Sequence, residues 1–204
     1  MVFAVSGSSG SGKSFIVRYI LKKIGSNLVS VIYQDNYYKR RDEQPKDKNG
    51  KHNFDLPSSF HLDEFMNDIN KIRNGEKLVR EEYTYNNPKI SPKEITVLPK
   101  KIIIVEGLFL FHERNLSDLF DKKILIDTKP SIMIKRRIKR DVEIRGYDKS
   151  DVLYKYENHV MPAFNEFILP YKKTVDLVIN NDNDDFKGPD HAVNYIMEEY
   201  GLNN

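Results

Sequence analysis

Eight consecutive residues near the N-terminus, Gly7-Ser8-Ser9-Gly10-Ser11-Gly12-Lys13-Ser14, have the types and spacing to hold a chain of phosphates. The pattern is G-x-x-x-x-G-K-[ST]. Its glycines let successive backbone N–H groups turn inward toward phosphate oxygens. A helix that starts where the pattern ends adds unpaired N–H groups and the positive end of its dipole. Lys13 can reach the outer phosphates, and the Ser14 hydroxyl can ligate Mg²⁺. The candidate phosphate-binding residues run from Gly7 through Phe15.

Three carboxylates stand where they could act on that phosphate chain. Asp35 follows the apolar run Leu28-Val29-Ser30-Val31-Ile32, and ligands of open α/β sheets gather past the carboxyl ends of strands. It is a candidate general base for an attacking hydroxyl; the other reading is an Asp that caps a turn. Asp55 precedes Pro57 and reads either as a turn former or as a carboxylate that accepts two hydroxyl hydrogen bonds from a sugar diol. Glu106 ends Ile102-Ile103-Ile104-Val105, the most strongly β-forming run in the chain. A buried strand that delivers a carboxylate at its end can bind Mg²⁺ directly or through water. Ser14, Glu106 and Asp35 are the candidate metal set.

Cations are concentrated between Pro130 and Gly146, where Lys135, Arg136, Arg137, Lys139, Arg140 and Arg145 fall on a predicted helix. Arg136 and Arg140 are four apart and Arg137 and Arg140 three apart, so they share a face. Such a run is ordinarily a solvated surface. Beside a phosphate site its arginines can clamp a transferring phosphoryl group, and Arg137 and Arg140 are the candidates. Ile134, Ile138 and Val142 are expected to pack that helix against the body.

The elements that must position these groups follow from pattern. Val2-Phe3-Ala4-Val5 reads as a buried strand. Phe15, Ile16, Tyr19, Ile20 and Ile24 then recur at helical spacing, with Gly25 as the stop. Lys39 to Asn53 is polar, carries Pro45 and Gly50, and reads as an exposed, mobile loop. A helix is predicted over about His61 to Asn74. Leu78 to Pro99 alternates as a β-hairpin around Asn86-Asn87-Pro88. Tyr83 and Tyr85 share one of its faces, placed to stack on a planar substrate or to cover a neighbouring core. A short helix (Leu116 to Phe120), a strand (Ile124 to Ile126), and a helical stretch from Asp151 to Tyr171 interrupted at Pro162 follow. A strand (Val175 to Ile179) and a helix (His191 to Tyr200) close the chain. None of the five histidines is assigned a role.

Composition narrows the classes. The 204 residues fit one domain, 39% of them are apolar, and 33 basic against 30 acidic side chains leave a net charge of +3. That balance gives no argument for nucleic acid. There is no cysteine, which excludes disulfides, thiolate metal sites and a cysteine nucleophile. No signal peptide or bilayer-length apolar run is visible, so a cytoplasmic protein is expected.

Taken in order, Gln34-Asp35-Asn36-Tyr37-Tyr38, Asn53-Phe54-Asp55-Leu56-Pro57, Val105-Glu106-Gly107, Arg136 to Asp141, Pro162-Ala163-Phe164, Pro170 and Lys172-Lys173 resemble the uridine kinase (uridine–cytidine kinase) family over nearly the whole chain. The resemblance implies an α/β P-loop kinase fold with a five-stranded parallel sheet flanked by helices. It implies a single domain, 1–204, with a hairpin at about 78–99 over the acceptor and an Arg-bearing lid at about 136–150. It further implies transfer of the ATP γ-phosphate, with Mg²⁺, to the 5′-hydroxyl of a ribonucleoside, uridine or cytidine by default. On that basis Asp35 is the base, Asp55 the ribose ligand, Tyr83 and Arg137 acceptor contacts, and Lys13, Arg137 and Arg140 catalytic. Family members are commonly tetramers.

The departures fall on the acceptor side. Thr84 stands at the family's Asp, Pro88 at its pyrimidine-contacting His, Tyr147 at an Arg and Lys155 at a Gln. They leave open a kinase for another nucleoside, a sugar phosphate or a vitamin-like alcohol. A third reading, a nucleotide-binding regulator, lacks support from any guanine-specific Asn-Lys-x-Asp motif. ATP against GTP preference and feedback inhibition are not legible.

Overall fold

Uninterrupted branched apolar runs make strands that must be covered on both faces, and five of them form the central sheet. We describe residues 1–84, 90–183 and 185–202 from a computed structural model. In chain order, β1 (Val2–Ser6), α1 (Lys13–Ile24) and β2 (Val29–Tyr33) come first. Next are α2 (Leu62–Arg73), β3 (Leu78–Glu81), β4 (Glu94–Val97) and β5 (Ile102–Gly107). Then come α3 (Arg114–Ser117), β6 (Lys122–Asp127), α4 (Pro130–Ile138), α5 (Lys149–Lys155), α6 (Met161–Phe167), β7 (Leu177–Asn180) and α7 (Lys187–Tyr200).

The large sheet is parallel in the order β2-β5-β1-β6-β7. β1 lies in the middle, flanked by strands that follow it far later in sequence. Alternation along the strands divides the interior into two cores. Ala4, Ile103, Val105 and Leu125 face α2 and α6 with Phe65, Ile69, Phe109 and Phe164. Phe3, Val5, Ile102, Ile104, Ile124 and Ile126 face α1 and α7 with Ile16, Val17, Ile20 and Ile196.

β3 and β4 form a separate antiparallel pair, as the alternation predicts. Arg80 ties it to the body: it donates to Asp68 at 2.9 Å and to the Asn36 carbonyl at 2.7 Å, and stacks on the Tyr37 ring at 3.5 Å. Tyr85 and Pro88 lie outside the described residues.

Three readings need correction. The predicted helix from Pro130 to Gly146 is α4 followed by a wider π-type turn, Lys139–Ile144. Its buried side chains are Met133 and Asp141, whereas Ile134, Ile138 and Val142 are only partly covered. The wider turn rotates the residues beyond Ile138 away from the α-helical stripe on which that face was counted.

The loop from Lys39 to Asn53 is largely exposed, as predicted, but it is anchored to the body. Gln44 is buried and donates to the Lys39 and Ser59 carbonyls, and Lys46 pairs with His52 across a small turn. Asp47 at that turn bonds to Tyr154 and His159. A second π-type turn, Tyr156–Val160, joins α5 to α6 and holds His159, which sequence left without a role.

Candidate active site

The loop after β1 has the conformation its glycines allow. Gly10 and Gly12 have φ of 86° and 97°, and a Cβ on Gly10 would lie 2.5 Å from the Met133 carbonyl oxygen. A Cβ on Gly12 would collide with the Asn181 amide. The loop is thus pressed against α4 and the end of β7 with no room for side chains. Asn181, buried, donates to the Ser11 carbonyl at 2.7 Å, and the Thr128 hydroxyl donates to the same oxygen at 3.0 Å. Sequence reasoning did not find this support, because it comes from the ends of β6 and β7. Ser8 Oγ and Ser11 Oγ are buried without hydrogen-bond partners among the described residues, as a loop built for oxygens of a ligand leaves them.

Lys13 opens α1, is 7% exposed, and donates to the Ser8 carbonyl at 3.2 Å. Its ammonium lies 3.9 Å from Glu106 Oε1, and Ser14 Oγ donates to Glu106 Oε2 at 3.3 Å. Burial lowers the Lys13 pKa against the opposing pull of Glu106, Asp35 and Asp55. Burial pushes the Glu106 carboxyl up to about 7, Lys13 counteracting and Asp35 adding to the rise. The three carboxylates therefore act on one lysine.

Glu106 is delivered by β5, and Asp35 by a 3₁₀ turn, Gln34–Tyr37, that continues β2. Gln34 locks the two strand ends together. It is fully buried, and its Oε1 accepts the Leu108 and Phe109 N–H groups at 2.8 and 3.2 Å. Asp55 is 8% exposed in a turn whose geometry Asn53 sets by accepting the Asp55 N–H at 2.9 Å.

From the opposite wall, Arg137 Nη1 donates to Ser9 Oγ at 2.6 Å and Arg140 Nη2 reaches the same oxygen at 3.4 Å. Asp141, 2% exposed, holds these cations. Arg140 Nε and Arg145 Nη1 donate to its Oδ1 at 2.8 and 3.1 Å, and Arg137 Nε lies 3.3 Å from its Oδ2. Arg136 instead donates to the Asn181 carbonyl at 2.8 Å. The shared face predicted for Arg136 and Arg140 is therefore divided.

Lys13, Ser14, the three carboxylates, Arg136, Arg137, Arg140, Asp141 and Arg145 line one cavity of about 570 Å³. Tyr38, Phe54 and Tyr83 join them in its lining, and the charges of Asp35 and Asp55 act on Lys13 within it. The Tyr83 N–H donates to Asn36 Oδ1 at 3.0 Å, and its ring lies 5.1 Å from that of Tyr38. Phe15, 43% exposed, also lines the cavity and lies 6.2 Å from the Phe186 ring. Tyr147 and Lys155, two of the departures, are in the wall. So are Arg18, Arg41, His52 and His159, which sequence reasoning missed. Their common signal is proximity in sequence to residues already singled out.

Among the described residues no group of three or more His, Asp or Glu could cage a metal, and no helix is long and apolar enough to cross a membrane. One hydroxyl and one carboxylate at the phosphate end do fit Mg²⁺, which keeps water and phosphate oxygens in its shell.

A profile of the phosphoribulokinase / uridine kinase family matches residues 2–185. A uridine kinase of Macrococcus caseolyticus is 39% identical over 178 residues, 87% of this chain and 86% of that one. A uridine kinase of Staphylococcus carnosus is 36% identical over the same shares. In fold, the chain is similar to the phosphoribulokinase of Rhodobacter spheroides, with a TM-score of 0.63 at 18% identity, over 88% of this chain and 69% of that one.

Proposed function

The chain belongs to the phosphoribulokinase / uridine kinase family, and from that premise we propose that it is a uridine kinase-like, ATP-dependent phosphotransferase. Its acceptor is the 5′-hydroxyl of a ribonucleoside, uridine or cytidine first. The observation that carries this reading is the single cavity. Lys13, Ser14, Asp35, Asp55, Arg137 and Arg140 all line it, and the two arginines meet Ser9 of the phosphate loop.

Phosphoryl transfer leaves the protein little covalent chemistry, so its residues work by placement and charge. The loop amides and Lys13 hold the triphosphate. Asp55 accepts hydrogen bonds from the ribose diol and so sets the reach of the 5′-hydroxyl. Asp35 accepts that hydroxyl's proton as the new O–P bond forms and the bond to ADP breaks. Arg137 and Arg140 stabilise the charge on the phosphoryl oxygens in flight. Ser14 and Glu106 would hold Mg²⁺, which neutralises charge on the outer phosphates when bound; Asp35 is the third member of that candidate set. The whole of 1–204 acts as one domain in this reading, and a tetramer rests on the family resemblance alone.

The test is phosphoryl transfer from Mg²⁺–ATP to a panel of ribonucleosides and small alcohols, with Asp35→Asn as the blank. Transfer to uridine or cytidine supports the reading. A second reading, the same kinase with a different hydroxyl acceptor, is favoured by Tyr147 and Lys155 in the cavity wall. Silence on nucleosides with transfer to another alcohol would establish it.

A further inference from the structure

Two buried imidazole nitrogens in the cavity wall lack partners. His159 and His52 both line the cavity, and the Nδ1 of each has no hydrogen-bond partner among the described residues. His159 is the more constrained, at 2% exposed. Its Nε2 lies 2.8 Å from Asp47 Oδ2, which also accepts the Tyr154 hydroxyl at 2.6 Å. The other Asp47 oxygen, Oδ1, accepts the Asn49 and Lys51 N–H groups, both at 2.9 Å. The Tyr154 hydrogen bond lowers the Asp47 pKa against the cost of its desolvation, and the His159, Lys51 and Asn49 contacts add to it. A carboxylate accepts only, so a neutral His159 carries its proton on Nε2 and presents a lone pair at Nδ1.

The position of this nitrogen bears on the acceptor. Asp47 sits in the turn closed by Lys46 and His52. Asn53, Phe54 and Asp55 follow His52, and these three residues of chain span at most about 10 Å. A ribose held by Asp55 therefore has its aglycone within reach of this wall.

We propose that His159, oriented by Asp47, is a specificity-determining residue that accepts a hydrogen bond from the nucleobase edge. The inference rests on the nucleoside-kinase reading above. Uridine and cytidine present opposite groups on that edge: uridine has N3–H beside a C4 carbonyl, and cytidine has bare N3 beside a C4 amine. An acceptor at Nδ1 distinguishes them whichever of the two positions it meets.

The geometry also provides a way to reverse the nitrogen. In Asp47→Asn, the amide oxygen must stay with the Asn49 and Lys51 N–H groups. Its NH₂ then takes the place of Oδ2 and donates to His159 Nε2. The imidazole proton moves to Nδ1, which becomes a donor. No catalytic residue has been touched.

The experiment measures kcat and KM for uridine and for cytidine in the parent enzyme, Asp47→Asn, His159→Leu and His159→Asn. The expected result is a shift of tenfold or more in the uridine-to-cytidine ratio of kcat/KM for Asp47→Asn, toward the nucleoside the parent disfavours. His159→Leu should bring that ratio toward one through KM, with the KM for ATP unchanged. His159→Asn, which keeps a polar atom near the Nδ1 position, should restore part of the discrimination. A ratio within twofold of the parent in Asp47→Asn and in His159→Leu overturns the proposal while leaving the kinase reading intact. Should the leucine variant fail to fold, Asp47→Asn decides alone. Silence of the parent enzyme on both nucleosides overturns the nucleoside reading and this inference together.

Discussion

Replacing Asp141 with Asn tests whether the arginines over the phosphate loop work because one buried carboxylate holds them. The two side chains have nearly the same volume, so packing is kept and charge is lost. In the parent, two oxygens face three guanidinium groups at 2.8 to 3.3 Å. In the variant one oxygen becomes an NH₂ that points its hydrogens at a cation, and at least two of these contacts fail. Charge-assisted hydrogen bonds of this kind contribute about 1.5–3 kcal/mol each. Arg140 and Arg145 are 36% and 27% exposed, so solvent screening places the sum near the lower end. The expected loss of stability is about 2–3 kcal/mol, read as a lower urea midpoint at unchanged slope. Arg137 and Arg140 would lose their orientation over Ser9, and misplacement of catalytic groups by about 1 Å costs up to about 10²-fold in rate. We expect kcat to fall 10- to 100-fold with the KM for the acceptor little changed. Burial alone would raise the Asp141 pKa; the Arg140 hydrogen bond and the three guanidinium charges outweigh it and hold it below the ordinary range. A depressed pKa contributes stability that is complete above the unfolded value of about 3.9 and is lost as pH falls through the folded one. The stability gap between parent and variant should accordingly close in acid. A destabilised variant with full kcat would refute the claim that this carboxylate sets the catalytic arginines, and an unchanged urea midpoint would refute the energetic argument.

Other outcomes follow from the same structure. Asp35→Asn should reduce kcat by about 10²–10⁴-fold while calorimetry records unaltered ATP affinity; full turnover would remove Asp35 from the base role. Gly12→Ala should abolish nucleotide binding, because the added Cβ meets the Asn181 amide at a backbone φ of 97°; retained ATP affinity would contradict the packed-loop account. Gln34→Met would leave the Leu108 and Phe109 N–H groups buried and unpaired, at about 1–3 kcal/mol each, so a urea midpoint within error of the parent would be the contrary result. Glu106 holds its proton up to about pH 7 when folded, so its contribution to stability falls as pH rises from about 4.3 toward 7. Binding of Mg²⁺–ATP at pH 6.5 should then release protons, measured by calorimetry in two buffers of different ionisation enthalpy, and Glu106→Gln should abolish the release.

The sequence made local things legible. The phosphate loop, β1, β2, β5 and α2 follow from short-range pattern, and each lies within two residues of where periodicity predicts. Asp35 and Glu106 were found because each stands at the end of such a strand, and Asp55 because it precedes a Pro-containing turn. What escaped depended on chain folding back from a distance. Asn181 supports Ser11 across most of the chain length, and no periodicity marks it. Asp47 and His159 look like a loop charge and a stray histidine until the second π-type turn brings them to 2.8 Å. The packing face of the lid was misplaced in part for a related reason: Ile134 does pack beside Met133, Tyr156 and Val160, but the wide turn beyond Ile138 adds a residue to the helical count and takes Val142 off the counted stripe.

The central place of β1 also bears on synthesis. A ribosome releases this strand well before its neighbours, which begin pairing only at Ile103 and Lys122, and the phosphate loop behind it is propped by Asn181. At about 5–20 residues per second, roughly 10 to 35 seconds pass between emergence of the loop and of its last prop. Until β5 and β6 emerge, roughly the first half or more of that interval, this apolar strand is a template without partners, of the kind chaperones hold. Nucleotide cannot rescue it, since a nascent chain that stops short of Asn181 has no finished cradle for phosphate to stabilise. A premature stop late in the reading frame would therefore yield a sticky, ligand-blind polypeptide rather than a weak enzyme.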